Sequence, residues 1–135
     1  MVKVILDACA VIALVKDETG AQIVEEYLLN SNHQCMIHNV NLCEVYYGFL
    51  PSEGERFTKQ IINRLQVSNI IFRDDLTLSF WQQVATYKAT IKRISLADCF
   101  ALTLAHQENG VLLTSDRKEF EPVVSLNICD IRFIR

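Results

Sequence analysis

The feature of this sequence that most constrains its fold is the alternation of short β-branched runs with longer segments of helical periodicity. Such runs predict buried strands, whereas apolar residues three or four positions apart predict helices. Strands separated by helices predict an α/β fold, a three-layer sandwich whose mainly parallel central sheet is flanked by helices. The predicted strands are Val2–Leu6, Asn69–Phe72, Val111–Thr114 and Ile128–Ile134, with residues 36–37 extended or in a loop and the last strand at an edge.

Residues that commonly cap or end helices mark the boundaries of the helical segments. Ser95 opens a capping box, Ser95-Leu-Ala-Asp98, in which the first and fourth side chains satisfy the first helical turn. The predicted helices span roughly 10–16, 22–29, 39–49, 52–65, 75–92 and 95–109. Their predicted caps are Asn39, Asp75 and Ser95, and their predicted stops are Gly48, Pro51 and Gly110.

The length and composition favour one globular domain spanning residues 1–135. A chain of 135 residues that is 50% apolar can bury one core and contains no linker-like segment. The net charge of −3 indicates no general basic surface for nucleic acid. If four of the sixteen acidic residues bind a metal, as argued below, the net charge of the remaining residues is +1. No apolar run approaches the roughly 18 residues of a membrane span. Asp7 interrupts the N-terminal apolar stretch directly after Leu6, so no signal peptide is predicted.

The cysteines indicate a reducing compartment. They are odd in number, widely spaced and mostly set among apolar neighbours, which is typical of reduced core residues in a cytoplasmic protein. A zinc site around His33, Cys35, His38 and Cys43 is not favoured, because the paired Cys-x-x-Cys spacing is missing. The five cysteines are Cys9, Cys35, Cys43, Cys99 and Cys129.

Four acidic residues stand out by their placement, three of them in apolar surroundings and the fourth, Asp116, next to Arg117 and Lys118. Asp7 ends the first strand, Glu44 and Asp98 lie on apolar helices, and Asp116 follows the strand ending at Thr114. An ionised carboxylate in such surroundings is costly unless it is paired or binds a metal. The carboxyl ends of parallel strands lie at one edge of a sheet, where ligands bind. Four converging carboxylates therefore predict a site for Mg²⁺ or Mn²⁺, which prefer oxygen ligands.

Each acid also has a purely structural interpretation. Asp98 fits the fourth position of a capping box, and Asp116 fits a turn or a helix cap. Asp7 could cap the helix that follows it, and Glu44 could pair with a distant lysine or arginine across the core. The functional interpretation is favoured because one metal site would satisfy all four carboxylates.

Four motifs together resemble the PIN-domain nucleases, and within them the VapC-like toxins of toxin–antitoxin pairs. The first motif ends the opening strand with an aspartate, and the second places a glutamate on a helix. The third is the Ser-Leu-Ala-Asp helix, and the fourth is a Leu-Thr-Ser-Asp turn. Their order and spacing fit the family over essentially the whole chain. The motifs are VILDACAVIAL (4–14), NLCEVYYG (41–48), ISLADCFALTLA (94–105) and GVLLTSDRKEF (110–120).

The resemblance implies an endoribonuclease that depends on Mg²⁺ or Mn²⁺ and leaves a 5′-phosphate and a 3′-hydroxyl. It also implies a homodimer, silenced by a small antitoxin whose C-terminal segment covers the acidic pocket. Cys9 departs from the family, which usually carries Ser, Thr or Asn two places after the first aspartate. The implied catalytic metal ligands are Asp7, Glu44, Asp98 and Asp116, with Thr114 and Ser115 as supporting polar residues.

Contacts with RNA must come from few basic residues. Those that flank the acids could contact phosphates or could simply form solvated surface. Aromatic residues at helical spacing could stack on bases, but core or interface packing is the favoured interpretation. A catalytically silent PIN-like binding module and a free-standing RNA-processing nuclease remain alternatives to a toxin. The basic candidates are Lys88, Lys92, Arg93, Arg117 and Lys118, and the aromatic ones are Tyr46, Tyr47, Phe49, Phe80 and Trp81.

Overall fold

A computed structural model describes residues 1–135 as a five-stranded sheet with six helices, which confirms the predicted α/β sandwich. The strands are β1 (Val2–Leu6), β2 (His33–His38), β3 (Ile71–Arg73), β4 (Val111–Thr114) and β5 (Asp130–Phe133). The helices are α1 (Ala8–Val15), α2 (Ala21–Leu29), α3 (Asn39–Val67), α4 (Leu78–Thr90), α5 (Leu96–Gln107) and α6 (Arg117–Val124). None of these helices combines the length and apolar character needed to span a membrane.

The sheet is entirely parallel, with the strand order β3-β2-β1-β4-β5. The central strand β1 is paired with both β2 and β4, and Leu6 lies opposite Leu113. The chain builds outward from β1 to one side through β2 and β3, and then resumes on the other side with β4. The junction of β1 and β4 is therefore the point at which the strand order reverses, and ligands bind beyond the carboxyl ends of the strands at such a point.

Each face of the sheet carries its own hydrophobic core, as period-two alternation along the strands requires. Val4 and Leu6 face one layer of helices, and Ile5 faces the other. The first layer consists of α1, α2 and α3, with the buried residues Val11, Val24, Val45, Phe49 and Ile61. The second consists of α4, α5 and α6, with Phe80, Val84, Leu102, Phe120 and Val123. Helices from the first half of the chain thus cover one face, and those from the second half cover the other.

Residues 36–37, expected to be extended or in a loop, lie in the middle of strand β2. Two local predictions are wrong. His38, not Asn39, caps α3, because its ring nitrogen Nδ1 accepts a hydrogen bond from Val40 N at 3.1 Å. Thr77, not Asp75, caps α4, since the Asp75 carboxylate instead forms a two-point ion pair with Arg73 at 2.8 Å.

The predicted end of the third helix is also wrong. α3 continues through Gly48 and Pro51, and it bends at Gly54, whose φ of 81° and ψ of 167° are not helical. A backbone with positive φ is accessible to glycine at little cost, so the break falls where no side chain opposes it. The Thr58 hydroxyl donates to the Gly54 carbonyl at 2.7 Å and holds the start of the second segment.

Candidate metal centre

Asp7 lies at the carboxyl end of the central strand, where the strand order reverses. Its side chain is only 1% exposed. The Oδ1 atom accepts a hydrogen bond from Ala10 N at 2.8 Å and so caps α1. The Oδ2 atom is buried and has no hydrogen-bond partner. The capping interpretation therefore accounts for one oxygen of Asp7 and leaves the other free to bind a ligand.

The surroundings of Asp7 oppose its ionisation. Burial raises the pKa of this carboxyl from 3.8 to about 7, and the nearby carboxylates of Asp116 and Glu44 add to the rise. Interactions with the Thr114 hydroxyl and the Ala10 amide act in the opposite direction and lower the pKa. A buried acid that faces other acids and no base is typical of a site that binds a cation.

Three further carboxylates converge at the starts of α5 and α6. Asp98 lies in the first turn of α5, Asp116 caps α6, and Glu119 lies in the first turn of α6. One oxygen from each of these side chains lies within 4.8 Å of the other two, close enough for all three to bind one ion. Asp98 is only 7% exposed, whereas Asp116 and Glu119 are half-buried.

Glu119 is the member of this cluster that our sequence analysis missed. The available signal was its spacing: Asp116-x-x-Glu119 places the glutamate one turn after the helix cap. Glu119 Oε1 accepts a hydrogen bond from Ser95 N at 3.0 Å, and Asp116 Oδ1 accepts one from Glu119 N at 3.0 Å. Glu119 thus joins the start of α6 to the residue that caps α5.

Glu44 approaches the cluster from the opposite layer, on α3. Burial raises its pKa, and the Glu119 carboxylate adds to the rise. The hydroxyl of Tyr47 donates to Glu44 Oε2 at 3.4 Å. The buried Asn41 donates its amide to the Ala97 carbonyl at 3.0 Å, which fixes this part of α3 against the start of α5.

No basic side chain neutralises the carboxylates of the centre. The salt bridges of the structure involve none of Asp7, Glu44, Asp98, Asp116 and Glu119. The distant ion pair considered for Glu44 is therefore not formed. Three carboxylates within reach of one ion, with those of Asp7 and Glu44 nearby and no counter-charge, fit a hard divalent cation bound by oxygen ligands.

The two supporting polar residues directly precede Asp116 in the chain. The buried Thr114 hydroxyl accepts a hydrogen bond from Asp116 N at 3.0 Å, which fixes the turn that follows β4. Ser115 is half-buried, and its hydroxyl interacts with the Cys9 thiol. Thr114 therefore positions the turn that carries Asp116, whereas the Ser115 side chain faces Cys9.

The basic candidates are only partly available for a ligand. Lys88 donates to the Ile94 carbonyl at 2.9 Å. Arg117 pairs with Glu121 at 3.0 Å and lies over the Phe133 ring at 4.5 Å. The remaining three, Lys92, Arg93 and Lys118, are exposed and form no salt bridge or side-chain hydrogen bond.

The aromatic candidates divide between the core and the surface. Phe49 and Phe80 are buried core residues and cannot stack on bases. Tyr46 is half-buried, whereas Tyr47 and Trp81 are exposed. The unfavoured zinc set does not converge: His33 and Cys35 both contact the Tyr27 carbonyl, while His38 Nε2 donates to the Asp75 carbonyl at 2.8 Å.

The sheet order and helix layers recur in solved structures at low sequence identity. A chain of DNA-bound VapBC from Salmonella typhimurium superposes with a TM-score of 0.74 and 17% identity, covering 100% of both chains. A chain of VapBC2 from Rickettsia felis, bound to a promoter DNA fragment, superposes with a TM-score of 0.72 at 16% sequence identity. The match covers 97% of this chain and 98% of that one. A chain of a toxin–antitoxin complex from Klebsiella pneumoniae superposes with a TM-score of 0.72 at 16% sequence identity, and the match covers 98% of each chain.

Comparison of the sequence with known proteins finds a matching family but no matching individual protein. No curated protein matches the chain at a significant level. The family model of the PIN domain matches residues 4–124, a range that contains every carboxylate of the centre. The chain therefore belongs to the PIN domain family.

Proposed function

We propose that this chain is a single-domain endoribonuclease dependent on Mg²⁺ or Mn²⁺, and that it acts as the toxin of a toxin–antitoxin pair. The observation that carries the proposal is the orphaned Oδ2 of Asp7, buried among carboxylates that have no basic partner. Such an arrangement is unfavourable for stability, so it is best explained by a cation that it binds. The family resemblance supports RNA as the substrate.

The carboxylates have distinct roles in this proposal. Asp7, Asp98 and Asp116 hold the cation, Glu44 closes the site from α3, and Glu119 adds a fifth carboxylate. When bound, the cation lowers the pKa of water and neutralises charge that develops on the phosphate. Asp7 Oδ1 remains bound to Ala10 N and fixes the direction in which Oδ2 points. The Thr114 hydroxyl orients the Asp116 turn through the backbone amide.

RNA would be held by the exposed cations beside the centre. Lys92, Arg93 and Lys118 have no intramolecular partner and are the preferred phosphate contacts among the five candidates. Lys88 and Arg117 would have to exchange existing contacts for a phosphate. Hydrolysis by in-line attack would leave a 5′-phosphate and a 3′-hydroxyl.

The proposed protein partners are an antitoxin and a second copy of this chain. The solved VapBC structures support the antitoxin, since one of the similar chains comes from a toxin–antitoxin complex. An apolar groove on α3, lined by Leu42, Cys43, Tyr46 and Ile62, lies beside Glu44 and could take an antitoxin segment. The exposed Tyr47, Leu50 and Phe57 offer apolar surface for a homodimer. Five free cysteines favour the cytoplasm as the location.

Cleavage of labelled single-stranded RNA with added Mn²⁺ tests the activity. Asp98→Asn should reduce cleavage at least about a hundredfold, the scale on which loss of one charge-stabilising group acts in other enzymes. Asp130→Asn is the matched control, because Asp130 is an exposed acid at the opposite end of the sheet. Equal background cleavage by the wild type and Asp98→Asn would contradict the proposal and favour a silent RNA- or protein-binding module.

A further inference from the structure

Asn41 is a buried polar residue on α3 whose side chain is only half satisfied. The side chain is 0% exposed, and its Nδ2 donates to the Ala97 carbonyl at 3.0 Å. The Oδ1 atom is buried and has no hydrogen-bond partner in the chain. The Ala97 carbonyl fixes this orientation of the amide, because the reversed orientation would place two acceptor oxygens against each other. Asn41 Oδ1 and Asp7 Oδ2 are the two buried side-chain atoms of the structure that lack a partner.

Packing alone does not account for an asparagine at this position. A buried amide oxygen without a donor is unfavourable for folding, and an apolar side chain of similar size would avoid that cost. A residue that breaks a rule of stability in this way is typical of a functional site. The unpartnered oxygen therefore indicates that Asn41 serves the centre as well as the fold.

Asn41 connects acids that come from opposite layers of the sandwich. It precedes Glu44 by three residues, so the two side chains are neighbours on one face of α3. The carbonyl that it binds belongs to Ala97, which is directly followed by Asp98 in the first turn of α5. This is the only side-chain hydrogen bond between α3 and α5. Asn41 thus fixes the helix that carries Glu44 against the helix that carries Asp98.

Asn41 also contacts the Glu44 carboxylate itself. Burial raises the pKa of Glu44, whereas hydrogen bonding to Tyr47 and to Asn41 acts in the opposite direction. Tyr47 is 58% exposed, and its hydroxyl lies 3.4 Å from Glu44 Oε2, so it holds the carboxylate only weakly. Asn41 is therefore the buried polar support of this carboxylate.

We propose that Asn41 is the positioning residue of Glu44, and that its buried amide holds the Glu44 carboxylate toward the acids at the start of α5. A ligand that is held in place before the cation binds loses less conformational freedom on binding, so the support raises the affinity. This inference rests on the proposed function in one respect: it takes Glu44 to be a ligand of the cation.

Mn²⁺ binding to the full-length protein, followed by the electron paramagnetic resonance signal of free Mn²⁺, tests the inference. Asn41→Leu should weaken binding by about tenfold or more, the scale on which loss of a group that supports a metal ligand lowers affinity. Asn63→Leu is the matched control, because it makes the same change at an exposed position of α3, and it should retain the affinity of the wild type.

Thermal unfolding with a chelator separates positioning from a structural role. Asn41→Leu should unfold near the temperature of the wild type, because removal of the unpartnered oxygen offsets the lost bond to Ala97. A structural role alone predicts the reverse, a loss of stability with unchanged Mn²⁺ affinity. Asn41→Ala removes the same amide without the bulk of leucine, so it gives the same test of affinity if leucine does not fit.

A double-mutant cycle tests whether Asn41 acts through Glu44. Glu44→Gln leaves the other carboxylates in place, so Mn²⁺ binding remains measurable in this variant. Adding Asn41→Leu to Glu44→Gln should weaken binding no further, because the charged ligand that Asn41 positions is already gone. An undiminished loss in the double variant would overturn the inference, since Asn41 would then act elsewhere.

The outcomes distinguish this inference from the proposed function. If the wild type cleaves RNA with Mn²⁺ and Asn41→Leu binds Mn²⁺ as tightly, the inference is overturned and the nuclease proposal stands. If the cycle shows the expected coupling but Mn²⁺ supports no cleavage of RNA, Asn41 still positions a metal ligand and the nuclease proposal fails. A wild type that binds no Mn²⁺ would overturn both.

Discussion

The two carboxylate oxygens of Asp7 have different roles, one in the fold and one in the proposed chemistry. One oxygen caps a helix, an interaction worth about 1 kcal/mol, and the other is buried without a partner. The pKa of about 7 shows that the charged form is disfavoured where it lies. A residue that is costly to the fold in the absence of a ligand is typical of a functional site.

Asp7→Asn should stabilise the metal-free protein and abolish Mn²⁺-dependent cleavage. Asparagine keeps the helix cap and removes the buried charge, so we expect a gain of roughly 1–3 kcal/mol at about pH 8. Urea unfolding in the presence of a chelator measures this gain. A loss of stability would show that the charged form of Asp7 is already compensated within the protein.

Glu119 shows what residue patterns leave out. Asp7, Glu44 and Asp98 are isolated from other charges in the sequence, whereas Glu119 lies in the charged run Asp116-Arg-Lys-Glu-Phe120, where it is one charge among several. The tertiary contact between Glu119 Oε1 and Ser95 N, together with its cluster with Asp98 and Asp116, distinguishes it from the exposed Glu121. That contact depends on how α5 and α6 pack, which no local pattern contains.

Glu119→Gln should weaken Mn²⁺ binding by about tenfold or more while preserving the fold, because the amide oxygen can still accept from Ser95 N. Glu119→Ala removes that acceptor as well and should cost roughly 1–3 kcal/mol of stability. Titration calorimetry and thermal unfolding separate the two effects. Glu121→Gln is the control; an equal loss of Mn²⁺ affinity in this variant would contradict a specific role for Glu119.

At the scale of elements, the sequence predicted helices and strands better than their ends. The cap predicted at Ser95 is confirmed, because its hydroxyl accepts from Asp98 N at 3.1 Å, but the reciprocal half of the capping box is not formed, since Ser95 N donates to Glu119 Oε1 instead. The cap predicted at Asp75 is wrong because Arg73, two residues earlier, binds that carboxylate. Residues 36–37 form an apolar stretch too short for its periodicity to separate a strand from a loop, so strand β2 was not recognised in full.

The bend in α3 yields a prediction about backbone strain. Gly54→Ala should destabilise the protein by roughly 1–3 kcal/mol, since a side chain at this φ of 81° is strained although no atom lies within 4 Å of the added carbon. Gly48→Ala is the matched control. It lies within the helical part of α3, its added carbon would meet Ile12 Cδ1 at 3.6 Å, and it should stabilise by about 0.5–1 kcal/mol.

Chemical denaturation of both glycine variants gives the comparison. If Gly54→Ala is as stable as the wild type, then α3 can straighten at this position, and the bend is not a fixed part of the fold.

At the scale of the whole molecule, the centre is assembled from both helical layers. Asp7 and Glu44 come from the layer of α1–α3, while Asp98, Asp116 and Glu119 come from the layer of α4–α6. The sequence predicted an α/β sandwich from the alternation of elements. The strand order could not be derived in this way, since it depends on contacts between distant segments, and the family resemblance was needed to bring the acids together.

Stability should depend on pH and on metal together. Because the pKa of Asp7 is raised in the folded protein from 3.8 to about 7, its contribution to stability falls as the pH rises between these values and is constant above them. Mn²⁺ binds the ionised carboxylate, so its stabilising effect should be larger at about pH 8 than at about pH 5. Thermal unfolding with Mn²⁺ or chelator at both pH values measures the difference; the same shift at both would contradict it.

The reversal of strand order between β1 and β4 also divides the polypeptide into two consecutive parts, each of which supplies its own strands and its own carboxylates to the centre. Residues 1–73 supply three neighbouring strands and two of the carboxylates, and residues 78–135 supply the other two strands and the remaining three. A chain severed within 74–77 therefore yields two fragments, neither of which holds the complete set of acids. Co-expression of such fragments should therefore restore the proposed Mn²⁺-dependent cleavage only when β1 and β4 pair again.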